Sequence, residues 1–154
     1  MPKVKSDRTS KTKSEATPTV KTDILMSIKQ EHMNNIVSRK KNHEFRKYLI
    51  SENIERIWFY VSSPDQHLRY AAVISKGKPI GEIEDEEGLG NADFNKGLKE
   101  SKFAYEIHHL YRINSPLKHT ELKSDYGVSP PQRYIYMRGK LFTDVVWEEQ
   151  EKLF

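Results

Sequence analysis

The chain has 154 residues, enough for one domain with a real core, and its apolar content of 36% is low without being typical of disorder. It contains no cysteine, which excludes a disulfide framework, a cysteine-ligated zinc site and a thiol nucleophile. No apolar run reaches the length of about 18 residues that spans a membrane, and the N-terminus shows no apolar secretion signal. We therefore expect an intracellular protein, cytoplasmic or nuclear, with no membrane contact.

The net charge of +4 is concentrated at the N-terminus. Residues 1–22 hold six cationic and two acidic side chains, which account for the whole net charge and leave the body neutral. This Lys/Ser/Thr-rich stretch has almost no apolar content, so we predict that residues 1–22 form a disordered basic tail and residues 23–154 a single domain. The tail could add non-specific phosphate contacts, act as a nuclear-import signal or have no role.

In its first half, the chain is predicted to form a short buried strand, a helix, an extended segment and two further strands: residues 24–28, 30–39, 43–50, 57–61 and 70–75. The helix is indicated by Met33, Ile36 and Val37, which share one face. The strand at 57–61 is aromatic and β-branched, as central strands are.

In its second half, the predicted elements are an acidic glycine-rich loop, a helix, an alternating strand, a short helix, an apolar-aromatic run and a last helix: residues 77–91, 92–100, 105–113, 120–125, 134–137 and 141–154. The strands lie too close together for regular βαβ crossovers. The pattern therefore predicts an α+β domain, a small barrel of five or six strands with two to four flanking helices.

A basic corner follows the first helix. Residues 39–47 hold five cationic side chains and one carboxylate. We expect Lys41, Glu44 and Arg46 to project from this helix-to-strand corner into a shared cleft, where Lys and Arg suit an anionic ligand such as a nucleotide. The alternative is a surface ion-pair cluster that binds no ligand.

Aromatic and hydroxyl side chains supply further candidates. Trp58 and Tyr60 share a face of their strand, so they are either core residues or the floor of the cleft, where one of them would stack on a base. Ser62 and Ser63 lie at the strand end, where a hydroxyl could contact phosphate or only form a turn. The six histidines show no metal-ligand spacing, and we expect neither a metal nor a cofactor.

The order of these motifs resembles the ASCH family of the PUA-like superfamily over roughly residues 24–137. An apolar strand leads into Lys29-Gln30-Glu31-His32, and the helix is followed by Arg39-x-Lys41-x-x-Glu44-x-Arg46. The family signature is G-x-K-x-x-E-x-R, so the Lys, Glu and Arg match while Arg39 replaces the glycine. The strand that ends in Ser62-Ser63-Pro64 and the later Pro130-Pro131-Gln132 are also similar to family members.

The resemblance implies a PUA-like β-barrel with a cleft beside the first helix. It also implies binding of RNA or nucleotides, and in a few members hydrolysis of acetylated cytidine or of RNA. In the amidohydrolase branch the motif lysine works with a threonine where this chain has Glu44, which argues against carrying that activity over.

Three functional hypotheses follow. The leading one is a module that binds nucleic acid, RNA or DNA with RNA favoured, or a modified base, through eight residues: Arg39, Lys41, Glu44, Arg46, Trp58, Tyr60, Ser62 and Ser63. The alternative is a hydrolase of a modified nucleoside or RNA, with Lys41 as base or electrostatic stabiliser and Glu44 as general acid/base. The third is a protein-interaction domain in which the acidic loop and the last helix, with its Phe142/Val146/Leu153 stripe, meet a partner.

Overall fold

The computed structural model describes residues 18–154, which form a mixed α+β domain around one open sheet. Within these residues the strands are β1 (Thr19–Ile28), β2 (His43–Arg46), β3 (Arg56–Val61), β4 (His67–Ile74), β5 (Lys78–Pro79), β6 (Phe103–Lys118), β7 (Ile135–Arg138) and β8 (Glu151–Lys152). The helices are α1 (Gln30–Val37), α2 (Asn91–Asn95), α3 (His119–Tyr126) and α4 (Gly139–Val145), followed by a 3₁₀ turn at Trp147–Glu149.

The first strand begins earlier than predicted. Because β1 starts at Thr19 and pairs there with Arg138 of β7, residues 19–22 belong to the sheet and not to a tail. The remainder of the predicted tail, residues 1–17, lies outside the described residues. No helix in the described part of the chain is both long and apolar enough to cross a bilayer.

The sheet does not close, so the predicted barrel of five or six strands is wrong. Eight described strands take part, in the order β2-β6-β4-β3-β1-β7, with β5 and β8 also paired to β6. Among these strands β2 pairs only with β6 and β7 only with β1, which leaves the two ends of the sheet unjoined. The four described helices fall within the predicted two to four.

The core lies on both faces of the sheet, because alternate residues of β3 point to opposite sides. Phe59 packs in one apolar cluster with Met33 of α1, and we call this the first core. Trp58 and Tyr60 pack in another with Leu122 of α3, which we call the second core. Each large apolar side chain that is fully buried in this way contributes about 1.5–3 kcal/mol relative to exposure.

The first helix ends at Val37, two residues before its predicted end, and two others end much sooner because of backbone geometry. The prediction of a helix at 92–100 is wrong beyond Asn95, since Lys96 caps α2 and Gly97 adopts a φ of 73°. The helix predicted at 141–154 stops at Val145, and Val146 then adopts a φ of 49° before the 3₁₀ turn and β8.

The early end of α4 divides the apolar stripe proposed as a partner surface. Phe142 packs against the second core, whereas Leu153 lies after the 3₁₀ turn and packs against the first core. Phe142 and Leu153 are therefore not on one helical face, and the docking surface predicted from them does not form as predicted.

Candidate functional site

A cavity of about 520 Å³ opens where several chain segments meet at one end of the sheet. The end of β1 and the first turn of α1 form one side, and the basic corner with β2 forms another. The end of β3, the segment after α2 and residues 131–132 complete the wall. Ser27 ties the last of these segments down, because its Oγ donates to the carbonyl of Pro131 at 2.9 Å.

The turn after α1 directs the basic corner into this cavity. Arg39 adopts a φ of 68°, a left-handed conformation that glycine adopts readily and that bulkier residues disfavour. The N–H of Lys41 then donates to the carbonyl of Asn35 at 3.0 Å, which turns the chain back toward α1. Pairing of β2 with β6 fixes the direction of the residues that follow.

The three motif charges meet in this corner. Arg46 Nη2 donates to Glu44 Oε2 at 2.5 Å and to the carbonyl of Ser27 at 3.3 Å. Lys41 Nζ lies 3.8 Å from Glu44 Oε1, beyond direct hydrogen-bond distance. Lys41 is 8% exposed and Glu44 is 5% exposed, so this is a largely buried charge cluster and not the exposed ion-pair network considered as an alternative.

Glu44 lies between the two cations and lines the cavity. Its Oε1 atom is shielded from solvent and has no hydrogen-bond partner among the described residues. Its other oxygen is taken by Arg46. A buried carboxylate of this kind stabilises the charged form of a cation at close range, here that of Arg46.

Burial changes the acidity of the lysine. The pKa of Lys41 is lowered from its ordinary value, first by desolvation and further by the charges of Lys99 and Arg46, while Glu44 opposes the shift. An ammonium in such a site gains more from an anionic ligand than an exposed lysine does, because little water competes for it.

Phe45 forms an aromatic surface beneath two of the cations. Lys41 Nζ lies 4.5 Å and Lys99 Nζ 4.8 Å from the centre of its ring. Lys29 and Arg46 also line the cavity, so four cations against one carboxylate give it a formal net charge of +3, counting lysine, arginine and glutamate only. The cavity is therefore strongly cationic although the domain body is neutral.

The first turn of α1 adds backbone N–H donors to the cationic cavity. Lys29 stands at the N-cap without a side-chain capping hydrogen bond. The N–H groups at the start of a helix lack intrahelical partners and favour an anion.

Within residues 18–154 no group of three or more His, Asp or Glu side chains is placed to hold a metal ion.

Of the eight predicted binding residues, the structure brings four to the cavity: Lys41, Glu44, Arg46 and Ser62. Arg39 instead places its guanidinium 4.4 Å from the centre of the Phe154 ring. Ser63 lies in the exposed turn after β3 and does not line the cavity.

The aromatic floor predicted from β3 does not form. Trp58 is fully buried, and its Nε1 donates to the carboxylate of buried Asp23 at 2.6 Å. Tyr60, on the same strand face, is buried in the second core. Both therefore lie on the opposite side of the sheet from α1, and neither can stack on a ligand in the cavity.

Several cavity residues were not predicted from the sequence: Ser27, Lys29, His32, Phe45, Lys99, Ser101, Pro131 and Gln132. Phe45 follows Glu44 directly in the motif, so attention to its neighbours could have found it. Lys99 lies in the predicted helix at 92–100, and Ser101 lies in no predicted element. Only the left-handed conformation of Gly97 shows that the chain leaves the helix there and forms a loop.

The class of protein is thus an α+β domain with a cationic cavity at the end of its sheet, and solved structures identify the fold. The chain has the fold of the ASCH protein from Zymomonas mobilis, with 20% identity and a TM-score of 0.63 over 86% of this chain and 98% of that one. A serine-to-alanine variant of that protein gives 20% identity and a TM-score of 0.64, over 87% and 100%. A tyrosine-to-phenylalanine variant of it is 20% identical, with a TM-score of 0.60 over 84% of this chain and 99% of that one.

Neither a family model nor a curated protein matches the chain. The resemblance predicted from the sequence is thus confirmed at the level of the fold, which this chain shares with the solved ASCH structures. An identity of 20% extends to the fold and not to an activity.

Proposed function

We propose that this chain is a nucleic-acid-binding module that holds a nucleotide of RNA, with or without a modified base, in the cationic cavity. The observation that carries the proposal is the largely buried Lys41/Glu44/Arg46 cluster that opens into a cavity of about 520 Å³. Pockets of about 300–1,000 Å³ are typical of small-molecule and cofactor sites. The ASCH fold agrees with an RNA-binding role.

The charges suggest how such a ligand is held. Lys41 and Lys99 bind the phosphate from above the Phe45 ring, together with the amides at the start of α1. Arg46 contributes charge while Glu44 fixes its orientation. Hydroxyl groups of Ser27, Ser62 and Ser101, with the Gln132 amide, offer hydrogen bonds to the sugar or base.

Fluorescence anisotropy with labelled single-stranded RNA tests the proposal. Lys41→Met and Lys99→Met each remove a charge and keep an apolar stem, so we expect each to weaken binding about tenfold or more, since a charged hydrogen bond is worth about 1.5–3 kcal/mol. Each variant should also reduce the slope of log affinity against log salt by about one.

Lys123→Met is the matched control, because Lys123 is exposed on α3 and does not line the cavity. We expect it to leave RNA affinity nearly unchanged. The proposal fails if the native chain binds neither RNA nor DNA, or if Lys123→Met weakens binding as much as Lys41→Met does. Lys99 is less buried than Lys41, so the Lys99→Met variant still tests the proposal if Lys41→Met does not fold.

A second candidate function is hydrolysis of a modified nucleoside or of RNA. It is favoured by the lowered pKa of Lys41, which lies beside Glu44. The motif lacks a threonine nucleophile, but serine hydroxyls line the same cavity and could take that role. Incubation with acetylated cytidine and with RNA, followed by chromatography of the products, distinguishes it from binding alone. Turnover no faster than that of the Lys41→Met protein rejects this candidate.

A further inference from the structure

A row of tyrosines and cations lies beside the cavity, and we call it the tyrosine strip: Lys21, Tyr48, Arg133, Tyr134 and Tyr136. The ring centres of Tyr48 and Tyr134 are 5.7 Å apart, and those of Tyr134 and Tyr136 are 6.2 Å apart. The Arg133 guanidinium lies 4.2 Å from the Tyr48 ring centre, and Lys21 Nζ lies 4.9 Å from that of Tyr136. Three neighbouring tyrosine rings therefore form the strip, with a cation against the ring at each end.

The strip stands on the core but is not enclosed by it. Its three tyrosines are partly exposed and pack against the first core, while Lys21 and Arg133 are exposed. Tyr48 Oη donates to the carbonyl of Arg133 at 3.3 Å, which ties the two halves of the strip together. The aromatic groups are thus held in position before any ligand arrives, which lowers the entropic cost of binding.

The strip adjoins the cavity wall along the chain. Arg133 follows Gln132 and Pro131 of the cavity wall directly in the chain. Burial raises the pKa of Tyr48, whereas the charges of Arg46 and Arg133 both lower it. Tyr48 therefore lies within electrostatic reach of Arg46 in the cavity and Arg133 on the strip.

From this geometry we propose that the tyrosine strip carries the nucleotides of single-stranded RNA that adjoin the one held in the cavity. The inference rests on the proposed function, which it extends from one nucleotide to a short strand. Single-stranded nucleic acids are bound by aromatic groups on which successive bases stack, combined with cations that follow the phosphates. Arg133 over Tyr48 and Lys21 over Tyr136 supply both kinds of group side by side.

The experiment measures how affinity depends on RNA length. Single-stranded RNAs of one, two, four and six nucleotides compete with a labelled hexanucleotide for the native chain and for Tyr136→Leu and Arg133→Gln. We expect native affinity to rise with length. Each variant should weaken hexanucleotide binding about tenfold and leave mononucleotide binding unchanged, since one stacked base or phosphate contact is lost.

Tyr126→Leu is the matched control, because the Tyr126 ring carries Lys140 Nζ at 4.9 Å, as the Tyr136 ring carries Lys21. Tyr126 lies on α3 and lines neither the cavity nor the strip. The inference is overturned if the hexanucleotide binds no more tightly than the mononucleotide, or if the strip variants weaken it no more than Tyr126→Leu does. Equal affinity for a duplex of the same length also contradicts it.

Failure of this inference can be told apart from failure of the proposed function. If mononucleotides bind in a way that depends on Lys41 but length adds nothing, only the strip is wrong. If neither mononucleotide nor hexanucleotide binds, both proposals fall. Arg133 is exposed, so Arg133→Gln decides the matter even if Tyr136→Leu lowers stability too far to be measured.

Discussion

Lys41, Glu44 and Arg46 could be predicted as a group from spacing alone, because a corner between a helix and a strand brings their side chains together. The neighbouring side chains that join them in the cavity could not be predicted in this way. Trp58 and Tyr60 share a face of β3, but no local pattern tells which face looks toward α1. That is settled by distant contacts, including the bond from Trp58 to Asp23, 35 residues earlier.

Arg39 shows the same limit at a single backbone position. It stands where the signature has a glycine, and spacing alone does not show that an arginine there adopts the left-handed φ of 68° found in the structure. The stacking of its guanidinium on Phe154, about 0.5–1 kcal/mol for a cation–π contact, offsets part of that strain.

We expect Arg39→Gly to change the free energy of unfolding by less than about 1 kcal/mol, since relief of about 1–2 kcal/mol of left-handed strain is countered by the lost contact and by glycine entropy. Arg39→Val should be clearly destabilising, because a β-branched residue fits this conformation worst. Urea denaturation measures both. Equal destabilisation by glycine and valine would show that the Phe154 contact, and not the turn, matters at this position.

The acidic loop and α2 form a unit that the sequence pattern described only as a loop and a helix. Asn42 Nδ2 donates to Asp85 Oδ2 at 2.9 Å, and Asn91 Nδ2 donates to Asn42 Oδ1 at 2.9 Å. Asn95 Nδ2 donates to Glu86 Oε2 at 2.8 Å. These amides tie the acidic run to the residue that precedes β2. Pairing across more than forty positions has no periodic signal, so it could not be predicted.

His43 lies at the centre of this unit and has a defined proton arrangement. Lys78 Nζ lies 3.1 Å from His43 Nε2 and can only donate, so the ring proton is on Nδ1, which lies 2.8 Å from Asn42 Oδ1. Burial, followed by the charge of Lys78, lowers the pKa of His43 from 6.5 to about 4. The imidazole is therefore neutral in the folded protein at neutral pH.

This lowered pKa predicts a pH dependence of stability. Between pH 6.5 and about 4 the unfolded chain binds a proton at His43 that the folded chain does not, so this contribution to stability is lost as pH falls through that window. We expect His43→Gln to flatten the fall in unfolding free energy measured by urea titration across it. A His108→Gln variant shows what removal of an exposed histidine does. Parallel profiles for the native chain and His43→Gln would contradict the assignment.

The sheet as a whole is organised by β6, whose sixteen residues pair with β2, β4, β5 and β8. The sequence predicted an α+β domain and most of its strands, but it gave only nine residues to this strand and expected a closed barrel. Closure depends on whether the first and last strands of the sheet meet, and β2 and β7 are set by partners far away in the chain. Strand content was therefore predictable, whereas sheet order was not.

Asp23 links the parallel pair β1 and β3 to the second core. It is fully buried and accepts from Trp58 Nε1 at 2.6 Å, from Arg56 Nη1 at 2.8 Å and from Thr22 Oγ1 at 2.7 Å. Its loss would leave a buried indole N–H and a guanidinium without their acceptor, which is costly in a low-dielectric interior.

We expect Asp23→Ala to lower the free energy of unfolding by about 3 kcal/mol or more, as removal of one partner of a buried ion pair does. Glu52→Ala is the control, since the Glu52–Lys76 pair is exposed, and it should cost less than about 1 kcal/mol. Both are measured by chemical denaturation. Similar losses in the two variants would mean that Asp23 carries no special weight in the fold.

The bond from Ser27 to the carbonyl of Pro131 joins cavity walls that are 104 positions apart in the chain. During synthesis the β1 and α1 side of the site emerges early, but the opposite wall follows only when residues 131–132 have left the ribosome. A nascent chain shorter than this lacks one wall of the cavity. The cavity is thus enclosed only after residues 131–132 have been synthesised.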